Sequence, residues 1–316
     1  RGVKSLLAKM SSPYPQHVII YGPPGVGKTS AARLVLDTVK HLAHSSFKKD
    51  APFVEVDGAT LRWDPRDVTN PLLGSVHDPI YQGARKDFAD TGVPEPKLGL
   101  VTEAHGGVLF IDEIGEMDPI LQNKLLKVLE DKRVFFDSAY YDPHDANIPQ
   151  YIKKLFEEGA PADFILIGAT TRDPQDISPA IRSRCAEVYF EPLTPLDIEK
   201  IVINAAAKLK VELEEGVPRL ISEYTIEGRK ANNILADAYG LALYRQNDGG
   251  SGIRQAITKE DVYEVLQVSR LSPYVNIKGS GEGEVGRIFG LGVSGFLGSV
   301  LEIEAVAFPA KTDGGG

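Results

Sequence analysis

The chain has 316 residues and a mass of 34.3 kDa, a length that suits two or three domains rather than one. Apolar residues make up 42% and charged residues 25%, which excludes wholesale disorder, and a net charge of −9 argues against a surface that neutralises many nucleic-acid phosphates. The single cysteine, Cys185, excludes an internal disulfide framework and a Cys-rich zinc site, and no apolar run reaches the roughly 18 residues of a membrane-spanning helix.

The start at Arg1 and the closing run of glycines read as the ends of a fragment. The expected setting is the cytoplasm, and a membrane anchor, if the protein has one, would lie on a segment outside this chain. The first 50 residues read as helix, strand, glycine loop, helix. His17-Val18-Ile19-Ile20-Tyr21 is a short β-branched apolar run of the kind that forms a buried parallel strand. Residues 22–29 then read as a loop and 30–41 as a helix. Phe53-Val54-Glu55-Val56 predicts a second strand and Gly107-Val108-Leu109-Phe110-Ile111 a third.

Asp118 and Pro119 supply an N-cap and a first-turn proline, and Leu121, Leu125, Val128 and Leu129 share one face of the helix that follows. Residues 133–162 form an insertion rich in Tyr, Asp and Pro, with a helix expected at 152–158. Phe164-Ile165-Leu166-Ile167 predicts a fourth strand. Strands alternating with helices argue for a parallel sheet covered on both faces, hence an α/β fold. After Glu191-Pro192 the pattern turns helical: Thr194 to Asp197 forms a box-like cap, and Ile198, Ile201, Val202, Ala205 and Leu209 continue at helical spacing. The expected domains are 1–190, α/β and nucleotide-binding; 191–272, all-helical; and 273–316, a glycine-rich linker with a short β-rich stub.

Gly22-Pro23-Pro24-Gly25-Val26-Gly27-Lys28-Thr29 fits G-x-x-x-x-G-K-[ST] and lies between a predicted strand and a predicted helix. Glycines let the backbone wrap close to phosphate, and a helix N-terminus adds N–H groups and a favourable dipole. Lys28 is expected to neutralise the β- and γ-phosphates of ATP, the Thr29 hydroxyl to ligate Mg²⁺, and Ser30 to complete the contact set. Val108 to Ile111 ends in Asp112-Glu113, where Asp112 would hold Mg²⁺ through water and Glu113 would orient or deprotonate the attacking water. The glycine motif, in its strand-to-helix context, stands apart from a plain glycine turn, whereas a charged strand end taken singly has a plainer explanation. Together they predict an Mg-ATP hydrolase.

These residues resemble the nucleotide site of AAA+ ATPases, and that resemblance implies roles for others. Gly168-Ala169-Thr170-Thr171-Arg172 stands where the family keeps its polar sensor 1, assigned to Thr171 with Arg172 one register away. Ser178-Pro179-Ala180-Ile181-Arg182-Ser183-Arg184-Cys185 resembles the segment that supplies an arginine finger in trans, by position Arg184, with Arg182 the runner-up; both would otherwise be surface ion-pair residues. Gly228-Arg229-Lys230 resembles the start of the sensor 2 helix, so Arg229 would reach back to the phosphates. An arginine acting in trans implies a homo-oligomer, a hexameric ring.

Ile114-Gly115-Glu116-Met117-Asp118-Pro119 and Gln122 to Glu130 resemble the ATPase module of Lon proteases, the bacterial Lon-B type in particular. The insertion stands where Lon-like proteins place a presensor hairpin, and Gly290-Leu291-Gly292-Val293 followed by Val300 to Ala305 resembles the opening strands of the Lon peptidase domain. The resemblance implies an unfoldase that feeds unfolded or damaged protein to a peptidase chamber, and a helical lid for the second domain. It also implies a pore loop at Pro71-Leu72-Leu73-Gly74-Ser75, with Leu72 and Leu73 gripping substrate unless they belong to the core. The family's Ser–Lys dyad would lie beyond Gly316; Ser294, Ser299, Lys278 and Lys311 lack its surrounding motif and take no role.

Competing readings come from shared pieces. Gly168 to Arg172 also resembles the branch-migration helicase of Holliday junctions, and Ser183-Arg184-Cys185 resembles clamp-loader subunits. Ala104 to Ile114 is similar in style to transcriptional activators that remodel RNA polymerase and to magnesium chelatases. The acidic total and the missing Gly-Ala-Phe-Thr-Gly-Ala run weigh against these.

Overall fold

The computed structural model describes residues 1–61, 70–77, 93–247, 256–273, 285–294 and 297–307; Lys278 and Lys311 lie outside them. The elements run α1 (Gly2–Met10), β1 (Val18–Tyr21), α2 (Lys28–Val39), β2 (Phe53–Asp57), β3 (Gly74–His77), β4 (Glu95–Leu98), α3 (Leu100–Glu103) and β5 (Val108–Asp112). They continue with α4 (Pro119–Asp131), β6 (Arg133–Val134), α5 (Gln150–Glu158), β7 (Ala160–Pro161), β8 (Ile165–Thr170), α6 (Pro179–Arg182) and β9 (Ala186–Tyr189). Then come α7 (Pro195–Leu209), β10 (Glu212–Leu213), α8 (Val217–Tyr224), α9 (Gly228–Asn247), β11 (Ala256–Ile257), α10 (Lys259–Val268), β12 (Arg287–Ser294) and β13 (Leu297–Glu304).

Two compact units divide the chain. One comprises Arg1–Gly22 with Gly27–Phe190, the other Pro23–Val26 with Glu191–Gly316. The first is built on a parallel sheet of order β2-β5-β8-β1-β9. Its inner strands bury both faces: all four residues of β1 and the first four of β5 are inaccessible to solvent. That burial is why they read as unbroken apolar runs rather than alternating ones. The fifth strand, β9, was not among the predicted ones.

Local signals set the helix starts. The Asp118 carboxylate accepts from the Ile120 N–H at 2.8 Å, capping α4, an interaction worth about 1 kcal/mol. In the second unit Thr194 and Asp197 form a reciprocal capping box on α7, and Thr258 and Asp261 another on α10. The core of that unit gathers Ile198, Val202, Val217, Ile221, Leu235 and Val262. The all-helical expectation is corrected by one detail: β10 and β11 pair in parallel over two residues each, too short to leave a strand pattern.

The insertion grows from a stem of β6 against β7 and carries α5, with Ile148 and Ile152 packed on Val93. β12 and β13 form an antiparallel hairpin from Arg287↔Glu304 to Ser294↔Leu297. It keeps Ile288, Leu291, Leu301 and Ile303 exposed.

Candidate nucleotide site

β5, β8 and β1 are neighbours in a parallel sheet, so they end on one edge, where α/β folds bind ligands. The first unit's share of the glycine loop hangs between two strand ends. The Gly22 N–H donates to the Thr170 C=O at 3.3 Å. A side chain at Gly22 would meet the Phe190 carbonyl at 2.6 Å. Lys28 is 7% exposed, and its Nζ donates to the Gly22 C=O at 2.8 Å. Gly27 is left-handed, with φ 85°, and a Cβ there would meet nothing within 4 Å. No side chain caps α2 and no acidic residue stands in its first turn. An uncapped helix start beside open space, with a buried lysine turned into the loop, fits a phosphate chain. Thr29 is half-buried and Ser30 exposed in the first turn of α2.

Asp112 ends β5 and Glu113 follows it in the left-handed region at φ 46°, a conformation that costs a non-glycine residue of order 1 kcal/mol. Neighbours hold it there. The Gly58 N–H donates to the Asp112 C=O at 2.7 Å, and a Cβ on Gly58 would approach the Glu113 carbonyl to 2.7 Å. Across the strand Gly168 leaves room for Ile114, whose Cδ1 would lie 2.8 Å from any Cβ there. The Asp112 carboxylate accepts from the Glu113 N–H at 3.1 Å.

The Glu113 carboxylate meets Thr171. Thr171 donates its backbone N–H to Oε2 at 3.2 Å and its hydroxyl to Oε1 and Oε2 at 3.3 and 3.2 Å. Arg172, the alternative register, turns instead to Glu116, with Nε and Nη2 at 2.7 and 2.6 Å from Oε1. The Gly58, Gly168 and Glu116 contacts were missed in the sequence; a glycine directly after a predicted strand was the one available signal.

The two arginines considered for a finger, Arg182 and Arg184, are both engaged within the chain. Arg182 donates Nε to Glu187 at 3.0 Å, while Arg184 pairs with Glu130 and donates Nη1 to the Ala180 C=O at 3.0 Å. Cys185 is half-buried, and burial pushes its thiol pKa up to about 12. In the second unit, the Gly228 N–H at the start of α9 donates to the Gly25 C=O at 3.0 Å. Gly25 is left-handed at φ 72°, and Val26 is half-buried beside Pro23 and Pro24. Arg229 follows directly and is exposed.

Leu72 requires a correction. It is fully buried, with its N–H held by the Asn70 side chain at 3.0 Å and its C=O accepting from the Val101 N–H at 3.0 Å; a side chain inside the core cannot grip a polypeptide. Leu73 is half-buried and lines a cavity of about 160 Å³ with Val128, Val134 and Phe135.

The family model described as the sigma-54 interaction domain matches residues 3–136. Over 314 residues the chain is 50% identical to Lon protease 2 of Bacillus subtilis (strain 168), covering 99% of this chain and 55% of that protein. The chain belongs to the AAA+ modules of Lon proteases. The archaeal Lon protease of Thermococcus kodakarensis is 31% identical to this Lon-type module over 307 residues, 86% of this chain and 45% of that protein. The module thus spans about half the length of the curated relatives it matches. Among solved structures, the Thermotoga maritima RuvB Holliday junction branch migration motor aligns with a TM-score of 0.53 at 20% identity, covering 84% of this chain and 68% of that one. NtrX from Brucella abortus in complex with ADP gives 0.53 at 18%, covering 82% and 52%. Those two likenesses describe the fold, that of AAA+ proteins. Among the described residues no helix is long and apolar enough to cross a membrane.

Proposed function

We propose that the Lon-type module hydrolyses Mg-ATP in a hexameric ring and uses the turnover to draw unfolded or damaged protein toward a serine peptidase domain. One observation carries the reading. Three adjacent parallel strands end, on one edge, at the loop that leads to Lys28, at Asp112-Glu113 and at Thr171. Such a set can bind phosphates, hold a metal and activate water.

Lys28 would exchange its contact with the Gly22 carbonyl for the β- and γ-phosphates, while N–H groups from Gly27 to Ser30 line them. Thr29 and Asp112 would hold Mg²⁺, which when bound neutralises charge developing on the transferring phosphoryl group. Glu113 takes or orients the proton of the attacking water, with Thr171 fixing its carboxylate. Arg184 of a neighbouring subunit stabilises the transferred charge, and Arg229, at the start of α9, is the sensor 2 candidate. Leu73 is the remaining candidate of the two leucines for contact with polypeptide. The β12–β13 hairpin, exposed on apolar positions, suits the opening of a peptidase domain. The Ser–Lys dyad is assigned to no residue here. A lone cysteine suits the cytoplasm as the setting.

The test is ATP turnover with and without an unfolded polypeptide such as a reduced, alkylated protein, and with duplex DNA in its place. The reading expects stimulation by the polypeptide and none by DNA. Stimulation by DNA alone, falling steeply with salt, would establish a DNA motor instead.

A further inference from the structure

The two arginines of the finger segment are held in different ways. Arg182 is part of a closed network: the Glu187 carboxylate that receives its Nε also accepts the Tyr189 hydroxyl at 3.0 Å and the Tyr21 hydroxyl at 3.5 Å, and Tyr21 stacks on Tyr189 with centroids 5.2 Å apart. Moving Arg182 would take the guanidinium from a half-buried carboxylate and leave it two tyrosine hydroxyls. Arg184 has a simpler hold, one ion pair to Glu130 and one bond to a carbonyl, on side chains 38% and 55% exposed. Of the two, Arg184 is the one that can be exchanged.

Glu130 stands in the last turn of α4, followed by Asp131 and a left-handed Lys132 cap at φ 55°, with no basic residue in that turn. A carboxylate there faces the negative end of the helix dipole, so the helix gains nothing from it. Its favourable contact is the Arg184 guanidinium. A guanidinium fork fits carboxylate and phosphate alike, so replacing one by the other keeps the number of hydrogen bonds.

We propose that Glu130 is a positioning residue that holds Arg184 within its own subunit, and that assembly around nucleotide exchanges the Glu130 carboxylate for the neighbouring subunit's phosphate. This rests on the reading of Arg184 as the arginine that acts in trans. An exposed pair of this kind amounts to a factor of about 1.5 to 5, enough to disfavour a displaced arginine in isolated chains and small enough for a phosphate to overcome.

The experiment follows ATP turnover per chain against protein concentration at saturating Mg-ATP, with thermal midpoints recorded for every variant. Turnover per chain of the parent should rise with concentration. Glu130→Gln and Glu130→Ala should both move the half-maximal concentration about 2- to 5-fold lower, and Glu130→Asp should return it toward the parent. Arg184→Ala should abolish the rise. A purely structural Glu130 would lower the thermal midpoint and leave the half-maximal concentration unchanged or higher in Gln and Ala alike; that outcome overturns the holding role and leaves the trans arginine standing. Parent turnover independent of concentration, or Arg184→Ala as active as the parent, overturns the reading of Arg184 and this proposal with it.

Discussion

Glu113 and Thr171 are bound to each other through both the backbone and the side chain of the threonine: the N–H and the hydroxyl converge on one carboxylate at 3.2–3.3 Å. The link joins the end of β5 to the end of β8, which pair in parallel with Ile111 opposite Gly168. It fixes a side chain whose backbone is already confined to φ 46°. In its proposed role as general base, a carboxylate so held loses little rotational freedom on meeting water.

Thr171→Val keeps the N–H contact and removes the hydroxyl one. Turnover should fall about 10-fold, a loss of ~1.4 kcal/mol of transition-state stabilisation, with nucleotide affinity little changed. Arg172→Ala, which frees Glu116 instead, should cost under about threefold. The reverse ranking would move the sensor role to Arg172.

Gly58→Ala tests the packing behind Glu113. The new Cβ would press on the Glu113 and Asp112 carbonyls at 2.7 and 3.1 Å, and backbone cannot swing aside as a side-chain end can. Stability should drop by about 1–3 kcal/mol, read as a lower denaturation midpoint, together with slower turnover. A variant as stable and as fast as the parent would show that the close approach is dispensable.

His17 adds a pH dependence. Its Nδ1 accepts from the Leu166 N–H at 3.0 Å, and burial, then the nearby Lys132, lowers its pKa below 6.5. The folded state therefore favours neutral imidazole, while the unfolded chain protonates near 6.5. Folding stability should be intact above that pH and decline below it, as the unfolded state binds the extra proton. His17→Asn, which keeps an acceptor, should flatten this part of the acid limb in pH-dependent denaturation. An unchanged limb would place the titration elsewhere.

Cys185 should be inert. With its thiol raised to about 12 by burial, little thiolate exists at neutral pH. A thiol reagent at pH 7.5 should modify it far more slowly than the same chain in denaturant; equal rates would contradict its burial.

Legibility followed the range of the interaction. β1 and β5 were readable because burial on both faces leaves unbroken apolar runs, and the residues proposed for phosphate and metal because the motif read for them follows a strand and opens a helix. Asp118 and Thr194 were readable as caps because a cap acts within three residues. β9 was not: Ala186-Glu187-Val188-Tyr189 sits at the sheet edge and is half polar. Nor were the Glu130–Arg184 pair and the demands on Gly58 and Gly168, which arise where segments 54 or more residues apart touch. Leu72 was placed by the Lon resemblance and not by its own residues, with the core as the alternative, and it is in the core that the Asn70 and Val101 contacts hold it.

The most direct test of the central claim is a comparison of Glu113→Gln with the parent, measuring nucleotide binding by titration and phosphate release under saturating Mg-ATP. The account predicts binding within about threefold of the parent and hydrolysis at least ~100-fold slower, as expected for a lost general base. Hydrolysis at the parent's rate would contradict it and move the chemistry away from the end of β5.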